Sequence, residues 1–302
     1  MIDGALLLDK PVGVSSNAVL QRTKQLLGAT KAGHAGTLDP LASGLLLALF
    51  GEATKFAGPL LDSDKEYLAT LKLGERTTTG DAEGDVVSKK DVNPENLPAV
   101  LERFRGEIEQ VPPMHSALKH KGTPLYRLAR RGEEVPRAAR LVRISRLELV
   151  KLALPALVLR VACSKGTYIR VLAEDIGAAL GCGAHLSALR RTGSGPFRVE
   201  DALTLDALEC APLAERRRSV LPLSELLRGL PRAELDAAGE ARLRQGRALK
   251  VGGLKRGLCA VVRPDGGVIG LGAADGDGGL KPLRLTQTAE KHLESAAHMK
   301  RE

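Results

Sequence analysis

Residues 33–45 read Gly33-His34-Ala35-Gly36-Thr37-Leu38-Asp39-Pro40-Leu41-Ala42-Ser43-Gly44-Leu45, and an apolar run continues through Leu46-Leu47-Ala48-Leu49-Phe50. A single carboxylate is set in a glycine-rich turn. Gly33 and Gly36 allow backbone conformations closed to other residues, and Pro40 fixes φ directly after Asp39. The run 45–50 reads as a helix-like buried anchor behind the turn, so Asp39 is expected to be held in place. Taken alone, an Asp-Pro pair in a glycine-rich loop is an ordinary turn. The surrounding sequence decides between the two readings.

The chain has 302 residues, 43% of them hydrophobic, enough for a large core or for two domains. The apolar stretch Leu152–Leu159 is bounded by Lys151 and Arg160 and falls well short of the ~18 residues a membrane helix needs. Asp3 and Asp9 stand near the N-terminus and no basic-then-apolar segment begins there, so export is not expected. Cys163, Cys182, Cys210 and Cys259 form no Cys-x-x-Cys pair. Neither a zinc site nor a disulfide framework is suggested, and a cytoplasmic location is expected.

Lysine and arginine number 45 against 36 aspartates and glutamates, a net charge of +9 that favours an acidic partner such as nucleic acid. With three tyrosines, four phenylalanines and no tryptophan, a broad stacking platform is excluded. Any base stacking must rest on one or two tyrosines. The absence of a Walker motif, a metal-ligand cluster or a Gly-x-Gly-x-x-Gly loop is consistent with a site that needs no cofactor or metal.

Outward from the aspartate loop, Gly4–Leu8 reads as a short buried strand, followed by a Pro11/Gly13 turn, a Ser/Asn cap and a helix from about 17 to 27. Tyr67–Leu73 alternates as a strand, and 74–95 is polar and turn-rich. Runs at about 141–151 and 155–163 read as strands, followed by an amphipathic helix from about 170 to 180. From His115 to Arg146 the chain carries Lys119, Lys121, Arg127, Arg130, Arg131, Arg137, Arg140, Arg143 and Arg146 against only Glu133 and Glu134. Charge alone is equally compatible with a solvated helix face. Interleaved Gly122, Pro124, Gly132 and Pro136 favour a protruding, jointed element able to close on a phosphate backbone. The pattern fades near 211–222, and Leu258–Val262, the turn 264–267 and Val268–Gly272 then suggest a small β-rich module.

The segment 33–45 resembles the catalytic motif of the TruB family of bacterial tRNA pseudouridine synthases. The resemblance covers about residues 3–200 and, more faintly, 230–285. It implies an α+β pseudouridine synthase fold with a large, mainly antiparallel mixed sheet flanked by helices, in a catalytic domain over 1–225. A basic thumb-like insertion at about 114–140, a PUA-like RNA-binding domain over 230–288 and a polar tail over 289–302 complete the expected layout. The implied activity is cofactor-free isomerisation of the uridine at position 55, in the T stem-loop of tRNA, by a monomer.

The resemblance also assigns roles. Asp39 attacks C1′ of the ribose or removes its 2′ proton, and the residues do not choose between these routes. Arg170 is its cationic partner, and Tyr168 contacts the base region and assists loss of the C5 proton. Two residues apart, Tyr168 and Arg170 would face the same side of an extended strand. Tyr67 stacks on the flipped uracil, His34 enters the space that base vacates, Leu189 packs against the base, and Lys10 supports the catalytic loop. Lys119, Lys121, Arg127, Arg130 and Arg131 are expected on the RNA backbone. His115 stands where relatives often carry tyrosine. Two alternatives stay open: a non-catalytic tRNA-folding protein on the same scaffold, and a synthase associated with the ribosome or a guide RNA.

Overall fold

The apolar run behind Asp39 is a strand, Ala42–Phe50, and not the helix its composition suggests. Leu45, Leu47 and Leu49 face a core containing Ala35 and Phe197, whereas Leu46, Ala48 and Phe50 face one containing Val19, Leu20 and Leu27. Burial on both faces removes the alternation that normally marks a strand. The computed structural model describes residues 2–116 and 118–287, so the expected polar tail 289–302 lies outside the described residues.

In chain order the elements nearest the site are β1 (Gly4–Lys10), α1 (Ser16–Leu27), β2 (Ala32–Ala35), β3 (Ala42–Phe50) and β4 (Lys65–Leu73). The Ser15 hydroxyl accepts from the Ala18 amide at the start of α1, and Gly28 ends the helix in the left-handed region at φ 65°. A ten-stranded sheet runs Leu203–Thr204, β1, β3, Ala184–Ser194, β4, Ala156–Cys163, Arg140–Ala153, Gly106–Gln110, with β2 paired to β3 and Phe197–Arg198 to Ala184–Ser194. Only the pairings of β1 with Leu203–Thr204 and of β3 with Ala184–Ser194 are parallel, so the sheet is mixed and mainly antiparallel. Parallel pairing of Leu189 with Ala42 and of Arg191 with Gly44 brings strand Ala184–Ser194 beside the aspartate loop.

Residues Ala69, Leu71 and Leu73 of β4 pack beneath the helix Ile169–Ala179, whose Ile169, Leu172, Ala173 and Ile176 complete the same core. The basic segment is jointed, as its glycines and prolines suggest. A two-residue hairpin, Lys119–His120 with Thr123–Pro124, leads into a short helix, Leu125–Ala129, and Lys121 turns it at φ 48°. Met114, Leu125 and Leu128 form its own small core.

The C-terminal module is a second sheet of five strands, ordered Arg232–Glu234, Gly257–Val262, Val268–Ala274, Gly279–Leu285, Leu249–Lys250, with the helix Ala237–Arg244 alongside. Gly270-Leu271-Gly272, which matches half of a dinucleotide-binding fingerprint, lies in the middle of the strand Val268–Ala274. A Cβ on Gly270 would meet the Arg284 carbonyl oxygen at 2.1 Å, so close backbone approach is what requires glycine there. Among the described residues no helix is long and apolar enough to cross a membrane.

Candidate active site

The loop between β2 and β3 is fixed through its backbone, from several directions. The Ser16 hydroxyl accepts from the Leu38 amide at 2.8 Å and donates to the Leu38 carbonyl at 2.9 Å, fastening the residue before Asp39 to α1. The Gly13 amide donates to the Pro40 carbonyl at 2.8 Å, and the Ala42 amide to the Asp39 carbonyl at 3.0 Å. Arg191, fully buried, donates to the Leu45 carbonyl at 2.7 Å and the Gly36 carbonyl at 3.0 Å. Gly36 sits at φ 92°, where a side chain is strained.

Lys10 supports this arrangement from below and lines neither cavity at the aspartate. Its buried ammonium donates to the Pro11 and Val14 carbonyls at 2.8 and 2.6 Å, shaping the turn that carries Gly13. Burial lowers its pKa to about 8, against the opposing pull of Asp39.

Asp39 is not buried: half of its side-chain surface is open. Its carboxylate lies 3.0 Å from Nη2 of Arg170, whose side chain is only 9% exposed. Tyr168 and Arg170 are not on a strand. Tyr168 precedes the first turn of the helix Ile169–Ala179 and Arg170 lies within it, and both side chains nevertheless reach one cavity because the helix starts at its rim. The Gln110 side chain holds Tyr168 in position, accepting from its amide at 3.0 Å and donating to its carbonyl at 3.3 Å.

Arg170 has a second anion, one that no sequence motif marks. Asp81, 3% exposed, forms an ion pair with Nη1 at 3.1 Å, while Nη1 donates to the Thr79 carbonyl at 3.4 Å and Nη2 to the His115 carbonyl at 2.6 Å. The Thr79 hydroxyl at 2.5 Å and the Glu83 amide at 3.1 Å complete the partners of Asp81. A buried carboxylate thus fixes one edge of the guanidinium fork and leaves the other for Asp39. Asp81 lies in the turn-rich stretch 74–95, and only its bridge to Leu186 carries it beneath the helix.

Two cavities meet at this ion pair. One, of ≈ 360 Å³, is lined by Asp39, Tyr67, Tyr168, Arg170, Leu189 and Arg191. Its size and mixed lining suit a nucleobase with its sugar. Burial raises the Tyr67 pKa, so the phenol is neutral at physiological pH. The second cavity joins Asp39 and Arg170 to His34, Tyr126, Arg130 and Asp81. His34 Nδ1 is buried with no hydrogen-bond partner among the described residues, and burial, then the nearby Arg191 charge, lowers its pKa. Of the five basic residues assigned to RNA, Arg130 reaches this cavity, its guanidinium 5.7 Å from the Tyr126 ring centre. Lys119, Lys121, Arg127 and Arg131 are exposed outside both cavities. Among the described residues no group of His, Cys, Asp and Glu is arranged to hold a metal ion.

Lys65 shares the first cavity and offers a pH-dependent signature. Its buried ammonium donates to the Leu60, Leu61 and Ser63 carbonyls, and burial lowers its pKa from 10.5 to about 8. Below about pH 8 the folded and unfolded chains both hold the proton, and the folded chain bears the full cost of burying it. Between about 8 and 10.5 only the unfolded chain retains it, so this group makes stability rise with pH, by at most ~1.4 kcal/mol per pH unit. Denaturant unfolding from pH 7.5 to 9.5 should therefore show a steeper upward dependence in wild type than in Lys65→Met. Parallel dependences would contradict it.

Successive stretches of the chain match three family models: TruB family pseudouridylate synthase, N-terminal domain, over residues 24–169; tRNA pseudouridylate synthase B C-terminal domain over 170–229; and pseudouridine synthase II TruB, C-terminal, over 231–286. Similar curated proteins include a tRNA pseudouridine synthase B of Burkholderia mallei, 54% identical over 95% of this chain and 98% of the relative. Another, of Thiobacillus denitrificans, is 52% identical over 96% and 97%. Among solved structures, a chain of a Cbf5-Nop10-Gar1 complex superposes with a TM-score of 0.73 at 30% identity, covering 94% of this chain and 83% of that one. Near-complete matches of this kind, on a sheet that brings an aspartate and a buried arginine together at a base-sized cavity, place the chain in the TruB family of pseudouridine synthases.

Proposed function

We propose that this synthase converts the uridine at position 55, in the T-arm of tRNA, to pseudouridine, with Asp39 as the catalytic carboxylate. The observation that carries the reading is the 3.0 Å contact between Asp39 and the buried Arg170, at the junction of two cavities. The curated relatives, named for tRNA and matched over nearly their whole length, support tRNA as the substrate. They favour it over the alternative of a synthase associated with the ribosome or a guide RNA.

In this reading the C1′–N1 bond of the uridine breaks, the uracil turns, and a C1′–C5 bond forms. The proton on C5 leaves and N1 gains one, so no electrons or groups enter from outside. Asp39 supplies the anion at the anomeric carbon, either as nucleophile or by taking the 2′ proton. Arg170 orients that carboxylate across their 3.0 Å contact. Tyr67 stacks on the uracil, Leu189 packs against it, and Tyr168 assists loss of the C5 proton. His34, whose Nδ1 lacks a partner, fills the space left in the RNA by the extruded nucleotide. The elements up to about residue 225 act as the catalytic domain, with 114–140 as a thumb and 230–288 as a PUA-like RNA-binding domain, in a cytoplasmic monomer. Release of tritium from C5-labelled uridine in tRNA, with mapping of the modified position, tests this. Release with the label elsewhere than in the T-arm would refute the target, and absence of release would refute the activity.

Arg127, Arg130 and Arg131 are exposed on the thumb, the last near Glu133 at 3.9 Å. If they meet phosphates, each lost contact should flatten the slope of log affinity against log salt by about 0.7–0.9. Replacing all three with alanine is expected to weaken tRNA binding at low salt and flatten that slope. Equal affinities and parallel slopes would assign them to a solvated surface.

A further inference from the structure

The Ser116 hydroxyl is buried and without a hydrogen-bond partner among the described residues. The residue is 6% exposed and lines both cavities at the reacting centre, beside Asp39 and Arg170. A hydroxyl removed from water without a partner is costly, so a native fold that retains one at a cavity wall implies a ligand that satisfies it. The backbone places it deliberately. The Ser116 amide donates to the Met114 carbonyl at 2.9 Å, and its carbonyl accepts from the Tyr126 amide, on the thumb helix, at 3.0 Å. The preceding carbonyl, of His115, accepts from Arg170 at 2.6 Å. One short segment thus ties the thumb to the catalytic arginine and presents a free hydroxyl at the same point.

We propose that Ser116 Oγ hydrogen-bonds the sugar–phosphate of the uridine held over Asp39, so that the thumb positions the reacting nucleotide as well as gripping the RNA. The proposal rests on the pseudouridine-forming reading above. Its choice of ligand group follows from position. Thr37, Leu38, Asp39, Ser116 and Arg170 line both cavities, so they surround the passage between them. A nucleotide whose C1′ is within reach of Asp39 must put its sugar in that passage and its base to one side. A hydroxyl there meets a ribose hydroxyl or a phosphate oxygen, and it can donate or accept.

The test is Ser116→Ala, which removes one oxygen and adds no bulk. Against full-length tRNA, kcat/KM for C5 tritium release should fall about tenfold, mostly in kcat. Affinity for the whole tRNA should change by less than about twofold, since one contact among many phosphate contacts is lost. The thermal midpoint of the free protein should stay the same or rise, because the substitution deletes an unsatisfied buried group. An unchanged kcat/KM, or a fall accompanied by a lower midpoint, would overturn the proposal, the latter by showing a structural role. Absence of release by wild type would instead overturn the activity itself, so the two failures are distinguishable. A T-arm stem–loop RNA with a methylphosphonate on the 3′ side of the target identifies the group contacted. If Ser116→Ala causes no further loss on that RNA, the partner is the phosphate; if the full tenfold loss persists, it is the ribose hydroxyl.

Discussion

Asp39→Asn is expected to lower turnover by ~10⁴-fold or more while tRNA affinity stays within about tenfold. Asparagine has nearly the same shape, but its amide neither attacks C1′ nor accepts the 2′ proton. The loop should keep its conformation, because the bonds that fix it run to the backbone of Gly36, Leu38, Asp39 and Pro40 and not to the carboxylate. The side chain is half exposed, and its contact with Arg170 accordingly contributes little to stability, about 1 kcal/mol or less. Tritium release, filter binding and a thermal melt on the same preparation separate these quantities. Release at even a hundredth of the wild-type rate would show that another group performs the chemistry. A large fall in the melting midpoint would instead show that the carboxylate is part of the scaffold.

What could be read in the sequence depended on whether a signal was local. The Ser/Asn cap of α1, the alternating strand β4 and the helix near 170–180 follow from spacing within a few residues, and each lies within a residue or two of its expected bounds. The strand β3 was hidden because its two faces meet different apolar cores, leaving no polar side to mark the period. The two-residue spacing of Tyr168 and Arg170 fits a strand, yet the helix begins between them, and no capping side chain signals its start.

The hidden parts of the site are those made by distant segments. Asp81 reads as an ordinary turn aspartate until strand Ala184–Ser194 and the helix Ile169–Ala179 enclose it. Ser16 and Gln110 each satisfy both backbone groups of one residue far along the chain, at Leu38 and Tyr168. Polar side chains that replace backbone partners leave no periodic trace. In Arg190-Arg191 the sequence does not say which arginine is buried. The sheet decides: Arg191 pairs opposite Gly44 and turns beneath the catalytic loop, while Arg190 reaches Asp9 nearer the surface.

The second large effect belongs to Arg170, where stability and catalysis can be separated. In Arg170→Ala, Asp81 remains buried with only Thr79 and Glu83 as partners, an uncompensated charge that costs ~3–5 kcal/mol and lowers the thermal midpoint by roughly 10 °C. Activity should also fall by ~10²–10³-fold, as when a preorganised charge partner is removed. Removing the stranded carboxylate as well, in Arg170→Ala/Asp81→Ala, should recover most of the lost stability, because no buried charge is then left alone. Activity should not recover, since Asp39 still lacks its cation. Arg170→Lys should fall between, because one ammonium cannot reproduce the fork that spans Asp39 at 3.0 Å and Asp81 at 3.1 Å. Melting curves and tritium release on the three variants decide the matter. A double variant as unstable as the single one would show that the buried charge is not the cause. One that regained turnover would show that Arg170 serves Asp81 and not the catalytic aspartate.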